Sequence, residues 1–239
     1  MSSHILLPPA MLGMLGGGQL GRFFVIAAHE MGYRVTVLDP DKSSPAGKIA
    51  DVHLCAAYDD AAALKTMADT CQAITTEFEN VPAQALDDLE SLGVFVAPRS
   101  SCVSLAQNRI AEKKFLATWK SETNIGPVPY FVIEHDADIA HVPADLFPGI
   151  LKTARMGYDG KGQFVLKNVE EVRNIWPQVT SQKLILEKFC PFDSEISVMV
   201  ARSKNGEIAA YEPLTNIHKN GILDESIYPA KVSEDLKIK

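Results

Sequence analysis

The sequence predicts an α/β protein in two parts: a parallel sheet covered by helices, then an α+β half built on antiparallel strands. Three observations predict it. Through the first hundred residues, short β-rich apolar runs alternate with helical patterns, which is the rhythm of βαβ units. The stretch NIGPVPYF, 124–131, breaks that rhythm with one glycine and two prolines. Beyond it, strand-like runs follow one another closely, as antiparallel pairing allows.

The elements follow in order. MLGML (11–15) is a short, almost wholly apolar run of the kind a buried parallel strand needs, and a helix is expected from 20 to about 31. YRVTVLD (33–39) is the next strand, followed by a helix near 59–70, the strand AITTEF (73–78), a helix initiated at Pro82, and the strand VFVAP (94–98). A helix rich in Gln, Lys, Arg and Glu should run from about 103 to 119. In the second half, GILKTA (149–154) and QFVLKN (163–168) flank a glycine loop like a hairpin, and KLILEKF, EISVMVARS and GEIAAYEPL each read as one strand. Ser233, followed by Glu234, Asp235 and Leu236, has the form of a capped helix start.

Composition narrows the function classes. The 239 residues are 46% hydrophobic and 22% charged, enough for a sizeable core. A net charge of -7 argues against nucleic acid or an anionic membrane as the main partner. Cys55, Cys71, Cys102 and Cys190 form no C-x-x-C pair, which suits reduced thiols and gives no metal site. No apolar stretch approaches the roughly 18 residues of a membrane span, and the N-terminus lacks the basic region of a signal peptide. The expectation is a soluble cytoplasmic chain.

Two glycine clusters carry the chemistry. In LGGGQLGR, Gly16, Gly18 and Gly21 fit G-x-G-x-x-G between a strand and a helix, where backbone amides can meet an anion. Asp39 lies 18 residues after Gly21, where a Rossmann-like dinucleotide site keeps its ribose carboxylate. The alternative is that these glycines only let the helix pack closely. In KTARMGYDGKGQF, Gly157, Gly160 and Gly162 stand beside Lys152, at the end of an apolar strand. Asp159-Gly160 suits a plain hairpin turn, whereas the length of the loop favours a flap that closes on phosphates. LILEKFCPFDSEISV then offers Glu187, Asp193 and Glu195, either as an edge strand or as a hinge whose backbone near Glu187 and Phe189 reads adenine. Arg109 and Lys113 share a helix face, and His218 sits in TNIHKNGIL, read as a loop.

In this order, LGGGQLGR, TTEFENVP, QNRIAEKKFL, LKTARMGYDGKGQ, EKFCPFDSEISV and NIHKNGIL resemble the N5-carboxyaminoimidazole ribonucleotide synthetases, ATP-grasp enzymes of purine biosynthesis. The resemblance implies a Rossmann-like domain over 1–101 and an ATP-grasp domain over 102–239, with a lid subdomain at about 125–188. It implies ATP- and bicarbonate-dependent carboxylation of 5-aminoimidazole ribonucleotide through carboxyphosphate. Arg109, Lys113 and Lys152 would meet the ATP phosphates under a mobile flap that includes Gly157, Gly160, Gly162 and Gln163. Glu187, Lys188, Phe189 and Cys190 would form the adenine hinge, Glu195 would hold the ribose, and His218 would lie near the nucleotide. Tyr158, Asp159 and Lys161 would face the reacting groups, and Gln19, Leu20 and Glu77 the ribonucleotide.

Mg2+ is the implied metal, with its ligands expected beyond residue 239, and a homodimer is the usual assembly. Two residues depart from the family pattern: Met156 stands where a glycine is usual, which should stiffen the loop, and Thr215 where a glutamate is usual. Because family members continue far beyond residue 239, the chain is expected to be truncated inside an element, incomplete in its sheet and inactive alone. Three other functions stay open: a formate-dependent ATP-grasp transformylase, an NAD-dependent oxidoreductase, and an inactive nucleotide-binding fragment.

Overall fold

The computed structural model describes residues 5–157, 162–179, 182–203, 205–219 and 221–237. Contacts divide the chain into two compact units, Met1–Asn108 and Arg109–Lys239.

The described residues of the first unit build a five-stranded parallel sheet from β1 (Met11–Leu15), β2 (Arg34–Leu38), β3 (Val52–Leu54), β4 (Ala73–Thr76) and β5 (Phe95–Val96), in the order β3-β2-β1-β4-β5. Helix α1 (Gln19–Glu30) covers one face, where Val25 and Ala28 pack with Met14, Val35 and Val37. On the other face, α2 (Ala61–Thr70) and α3 (Ala83–Ser91) bury Leu64, Met67, Leu86 and Leu89 against Leu15, Leu38 and Ile74. Each such side chain contributes about 1.5–3 kcal/mol by leaving water. The alternation of β-rich and helical runs thus gives the parallel architecture it predicts. Strand β3, only three residues long, carries no alternation and goes unseen in the sequence.

The expected helix over 103–119 is two helices, α4 (Ser100–Ala106) and α5 (Arg109–Thr118). The buried Gln107 marks the break, and its amide Nε2 donates to the carbonyls of Glu79 and Val81. Its side chain therefore binds the β4–α3 connection, satisfying two loop carbonyls that would otherwise be desolvated without partners.

After α6 (Lys120–Thr123), the second unit forms a four-stranded antiparallel sheet from β6 (Tyr130–Ile133), β7 (Gly149–Thr153), β8 (Gln163–Leu166) and β9 (Leu184–Lys188), ordered β6-β9-β7-β8. The hairpin expected at GILKTA and QFVLKN is β7 paired with β8. One face is closed by α7 (Val169–Val179), whose Val172 and Trp176 join Ile133, Leu151, Leu184 and Leu186. The opposite face carries Ile185 with Ile110 of α5, Ala154, Tyr130 and Val132.

The run EISVMVARS is not one strand. It divides into β10 (Glu195–Ser197) and β11 (Val200–Arg202), which join different sheets: β10 pairs with β13 (Leu214–Lys219), and β11 with β12 (Ile208–Ala210). GEIAAYEPL likewise supplies β12 and only the first residue of β13. Strand β14 (Ile222–Ile227) completes a three-stranded sheet, and His218, expected in a loop, lies in β13. The helix start at Ser233 leads into α8 (Glu234–Lys237).

Candidate active site

In the first unit the glycine loop is occupied by the protein's own carboxylates. Gly16 has φ +107°, a conformation that L side chains rarely adopt. The chain then presents successive amides at the start of α1. Gly17 N–H donates to Asp39 Oδ2 at 2.7 Å, Gly18 N–H to Glu77 Oε2 at 2.6 Å, and Leu20 N–H to Glu77 Oε1 at 3.0 Å. These are charge-assisted bonds onto the positive end of a helix, so the anion this motif predicts is internal.

Asp39 is buried and also accepts from Asp41 N–H at 2.8 Å and Tyr58 O–H at 2.8 Å. Burial pushes the Tyr58 hydroxyl above its ordinary range, reinforced by the adjacent Asp39. Asp39 is therefore a brace between loop and sheet, and the ribose role that NAD binding would require is filled by protein donors. Gln19 and Leu20 are exposed on the first turn of α1, and Glu77 is half-buried beside them. Of these three, Leu20 and Glu77 are joined by the Leu20 amide bond to the carboxylate.

In the second unit, strand alternation builds the site. Leu184 and Leu186 of β9 enter the core under α7, so Ile185 and Glu187 face the other way. Lys152 is brought to that same face because it pairs with Ile185 in the β7–β9 register. Its ammonium donates to Glu187 Oε2 at 2.9 Å, and Lys113 from α5 reaches Glu187 Oε1 at 3.1 Å. Glu187 is 6% exposed, while the two lysine side chains are 15% and 19% exposed. The buried carboxylate is thus paired on both oxygens, and the three groups together keep one positive charge.

Arg109 frames the same face. Its backbone N–H donates to Ala154 O at 2.9 Å, and its guanidinium donates to Thr153 O at 3.1 Å and Gly157 O at 3.0 Å. It therefore ties the start of α5 to the end of β7 and to the glycine loop. Gly162, with φ +70°, closes the far side of the loop by accepting from Thr153 N–H, and Gln163 stands opposite Lys152 in the hairpin. Tyr158, Asp159, Gly160 and Lys161 lie outside the described residues.

Lys188, the last residue of β9, and Phe189 and Cys190 after it are exposed. The Lys188 and Phe189 amides donate to Pro129 O and Pro148 O, both at 2.9 Å. Glu195 of β10 and His218 of β13 face each other, with Nδ1 3.5 Å from Oε1. Thr153 and Tyr58 are contributors that sequence reasoning passes over; each acts through a carbonyl or hydroxyl that no motif marks. No helix among the described residues is long and apolar enough to cross a membrane.

Comparison with known proteins matches these two arrangements to two family models. Residues 10–107 match the ribonucleotide synthetase preATP-grasp domain, and residues 119–239 match the ATP-grasp domain. The N5-carboxyaminoimidazole ribonucleotide synthase of Bacillus subtilis (strain 168) is 39% identical over 240 residues, covering 100% of this chain and 62% of the relative. That of Brucella melitensis biotype 1 is 38% identical, covering 98% of this chain and 64% of its own length. This chain therefore spans about three fifths of these relatives.

Among solved structures, an ADP complex of N5-carboxyaminoimidazole ribonucleotide synthetase matches with a TM-score of 0.89 at 38% identity, over 99% of this chain and 62% of that one. The Aspergillus clavatus enzyme in complex with ADP and 5-aminoimidazole ribonucleotide matches with a TM-score of 0.82 at 27% identity, over 96% and 59%. With its second half matched by the family model and the lysine-bracketed glutamate on the open face of the antiparallel sheet, the chain belongs to the ATP-grasp family.

Proposed function

We propose that this chain carries the nucleotide-binding part of an enzyme that uses ATP and bicarbonate to carboxylate 5-aminoimidazole ribonucleotide, giving N5-carboxyaminoimidazole ribonucleotide. The observation that carries this reading is the buried Glu187 held between Lys113 and Lys152, with Arg109 framing the loop beside them. The relatives at 38–39% identity with the same name support it.

ATP, when bound, supplies the phosphoryl group that activates bicarbonate as carboxyphosphate, whose carboxyl group passes to the amine of the ribonucleotide. The work of the chain is to gather and hold charge. Lys152 and Lys113 offer ammonium groups whose positions are fixed by Glu187, so little reorganisation is needed when phosphates arrive. Arg109 fixes the end of β7, and with it the height of Lys152. Because the Lys188 and Phe189 amides are already bonded to proline carbonyls, adenine would be read by the remaining backbone groups of the hinge, at Cys190 among others. Glu195 would accept ribose hydroxyls, with His218 steadying its carboxylate. Tyr158, Asp159 and Lys161 are the proposed contacts to the reacting groups, and Gln19, Leu20 and Glu77 the proposed contacts to the ribonucleotide.

Among the described residues, no three His, Cys, Asp or Glu side chains gather into a set able to hold the Mg2+ that the family implies. The phosphate charge is met here by Lys152, Lys113 and Arg109. A cytoplasmic homodimer is the setting this reading implies.

Calorimetric titration tests the proposal. ATP should bind and NAD should not. 5-Aminoimidazole ribonucleotide should bind in a way that Glu77→Gln weakens while ATP affinity is spared. Binding of NAD without ATP would overturn the reading in favour of a dinucleotide enzyme.

A further inference from the structure

A hollow lies in the first unit, between α1 and the connection from β2 to β3. Its volume is about 330 Å3, and it is lined by Arg22, Ser43, Pro45, Lys48 and Ile49. Arg22 and Lys48 are both exposed, and among the described residues neither forms an ion pair. In a chain of net charge -7, two unpaired cations converging on one hollow make a local field of the opposite sign.

The other walls sharpen the chemistry. Ser43 N–H and O–H both donate to Asp41 Oδ1, at 2.8 and 2.7 Å, so those two donors are already used. Recognition therefore falls to the guanidinium and the ammonium. Pro45 and Ile49 add an apolar wall, which a bare inorganic anion could not use but a carbon skeleton could. Asp41 is an acid beside Lys48: its affinity for protons is lowered by the bonds from Ser43 and further by Lys48 and His53. It competes with any bound anion for the Lys48 charge.

We propose that this hollow binds a small phosphate monoester, with the phosphate held between Arg22 and Lys48 and the carbon part laid against Pro45 and Ile49. Arg22 supplies the planar fork that fits two phosphate oxygens, and Lys48 supplies a point charge on a flexible stem. The five lining residues include none of those assigned to ATP or to the ribonucleotide, so the site stands independently of the proposed reaction.

The test is a calorimetric titration of ribose 5-phosphate and, separately, inorganic phosphate at low ionic strength. Wild type, Arg22→Gln/Lys48→Gln, Asp41→Asn and Glu77→Gln would be compared, with melting curves to confirm that each variant folds. Ribose 5-phosphate should saturate one site, bind about tenfold or more weakly to the double variant, and bind severalfold more tightly to Asp41→Asn. Equal affinity in wild type and the double variant would overturn the proposal. So would loss of binding in Glu77→Gln with none in the double variant, because the ester would then sit at the glycine loop. Inorganic phosphate binding as tightly as the ester would overturn the assignment of an ester.

Discussion

Lys152 Nζ stands 2.9 Å from Glu187 Oε2 across the β7–β9 pairing, one diagonal step along the ladder, since Lys152 itself pairs with Ile185 and Glu187 with Ile150. With Lys113 on the other carboxylate oxygen, the cluster holds two cations and one anion. Its surplus positive charge is what a phosphate would meet. Lys152→Ala removes that surplus and leaves Glu187 with a single partner. ATP affinity should fall more than tenfold, the loss of a charge-assisted contact of about 1.5–3 kcal/mol. Calorimetry on the folded variant checks this, and unchanged affinity would remove Lys152 from the nucleotide site.

Asp39 bonds Gly17 N–H, Asp41 N–H and Tyr58 O–H at once, from a buried position. Asp39→Ala strands the Gly17 amide and the Tyr58 hydroxyl together. The unfolding free energy of the variant should drop by about 2–4 kcal/mol. Tyr58→Phe deletes one bond only and should lose about 1 kcal/mol. Urea unfolding followed by circular dichroism orders the two; equal losses would show that the brace rests on Tyr58 alone.

Met156 has φ +60° and an exposed side chain. A left-handed backbone strains any residue with a β-carbon, so Met156→Gly should stabilise the chain by about 0.5–1 kcal/mol, net of the extra freedom glycine gives the unfolded state. A lowered urea midpoint would mean that the methionine side chain makes contacts outweighing the strain.

Asp51 supplies a pH dependence. Burial pushes its carboxyl up, but the bonds from Val35 N–H at 2.7 Å and His29 Nε2 at 2.9 Å outweigh burial and bring it below the ordinary 3.8. A carboxyl depressed by folding contributes stability that is present above 3.8 and is lost as pH falls through its lower folded value. Stability measured from pH 6 down to pH 2 should therefore fall less steeply below about 4 in Asp51→Asn than in wild type. Parallel profiles would show that this ion pair has no linkage to folding.

Much of this was readable from residue order. Lys152 and Glu187 each sit in an apolar strand whose period of two sends the side chain to one face, but their meeting depends on the β7–β9 register, which no local pattern gives. His218 could not be placed, because NIHKNGIL has no clean alternation and its strand exists only by pairing with β10 and β14. The helix α7 has a signal in Val172 and Trp176 at helical spacing behind Asn168, whose side chain accepts from Glu171 N–H, but Pro177 in its last turn reads as a breaker. The glycine loop illustrates the remaining limit. Its spacing promises amides for an anion, but the carboxylates that take them come from 22 and 59 residues away, beyond the reach of any local pattern.

Strand β9 serves two masters by parity. Leu184 and Leu186 belong to the core, and Ile185 and Glu187 to the open face, with neighbours bonded on both sides of the strand. Inserting or deleting a single residue there would exchange the two sets, sending a carboxylate into the hydrophobic cluster and leucines into the site. Descendants of this sequence can therefore explore β9 by substitution but not by changes of length. Length variation should collect instead in exposed connections between strands, where one residue more or less leaves the parity of the strand intact.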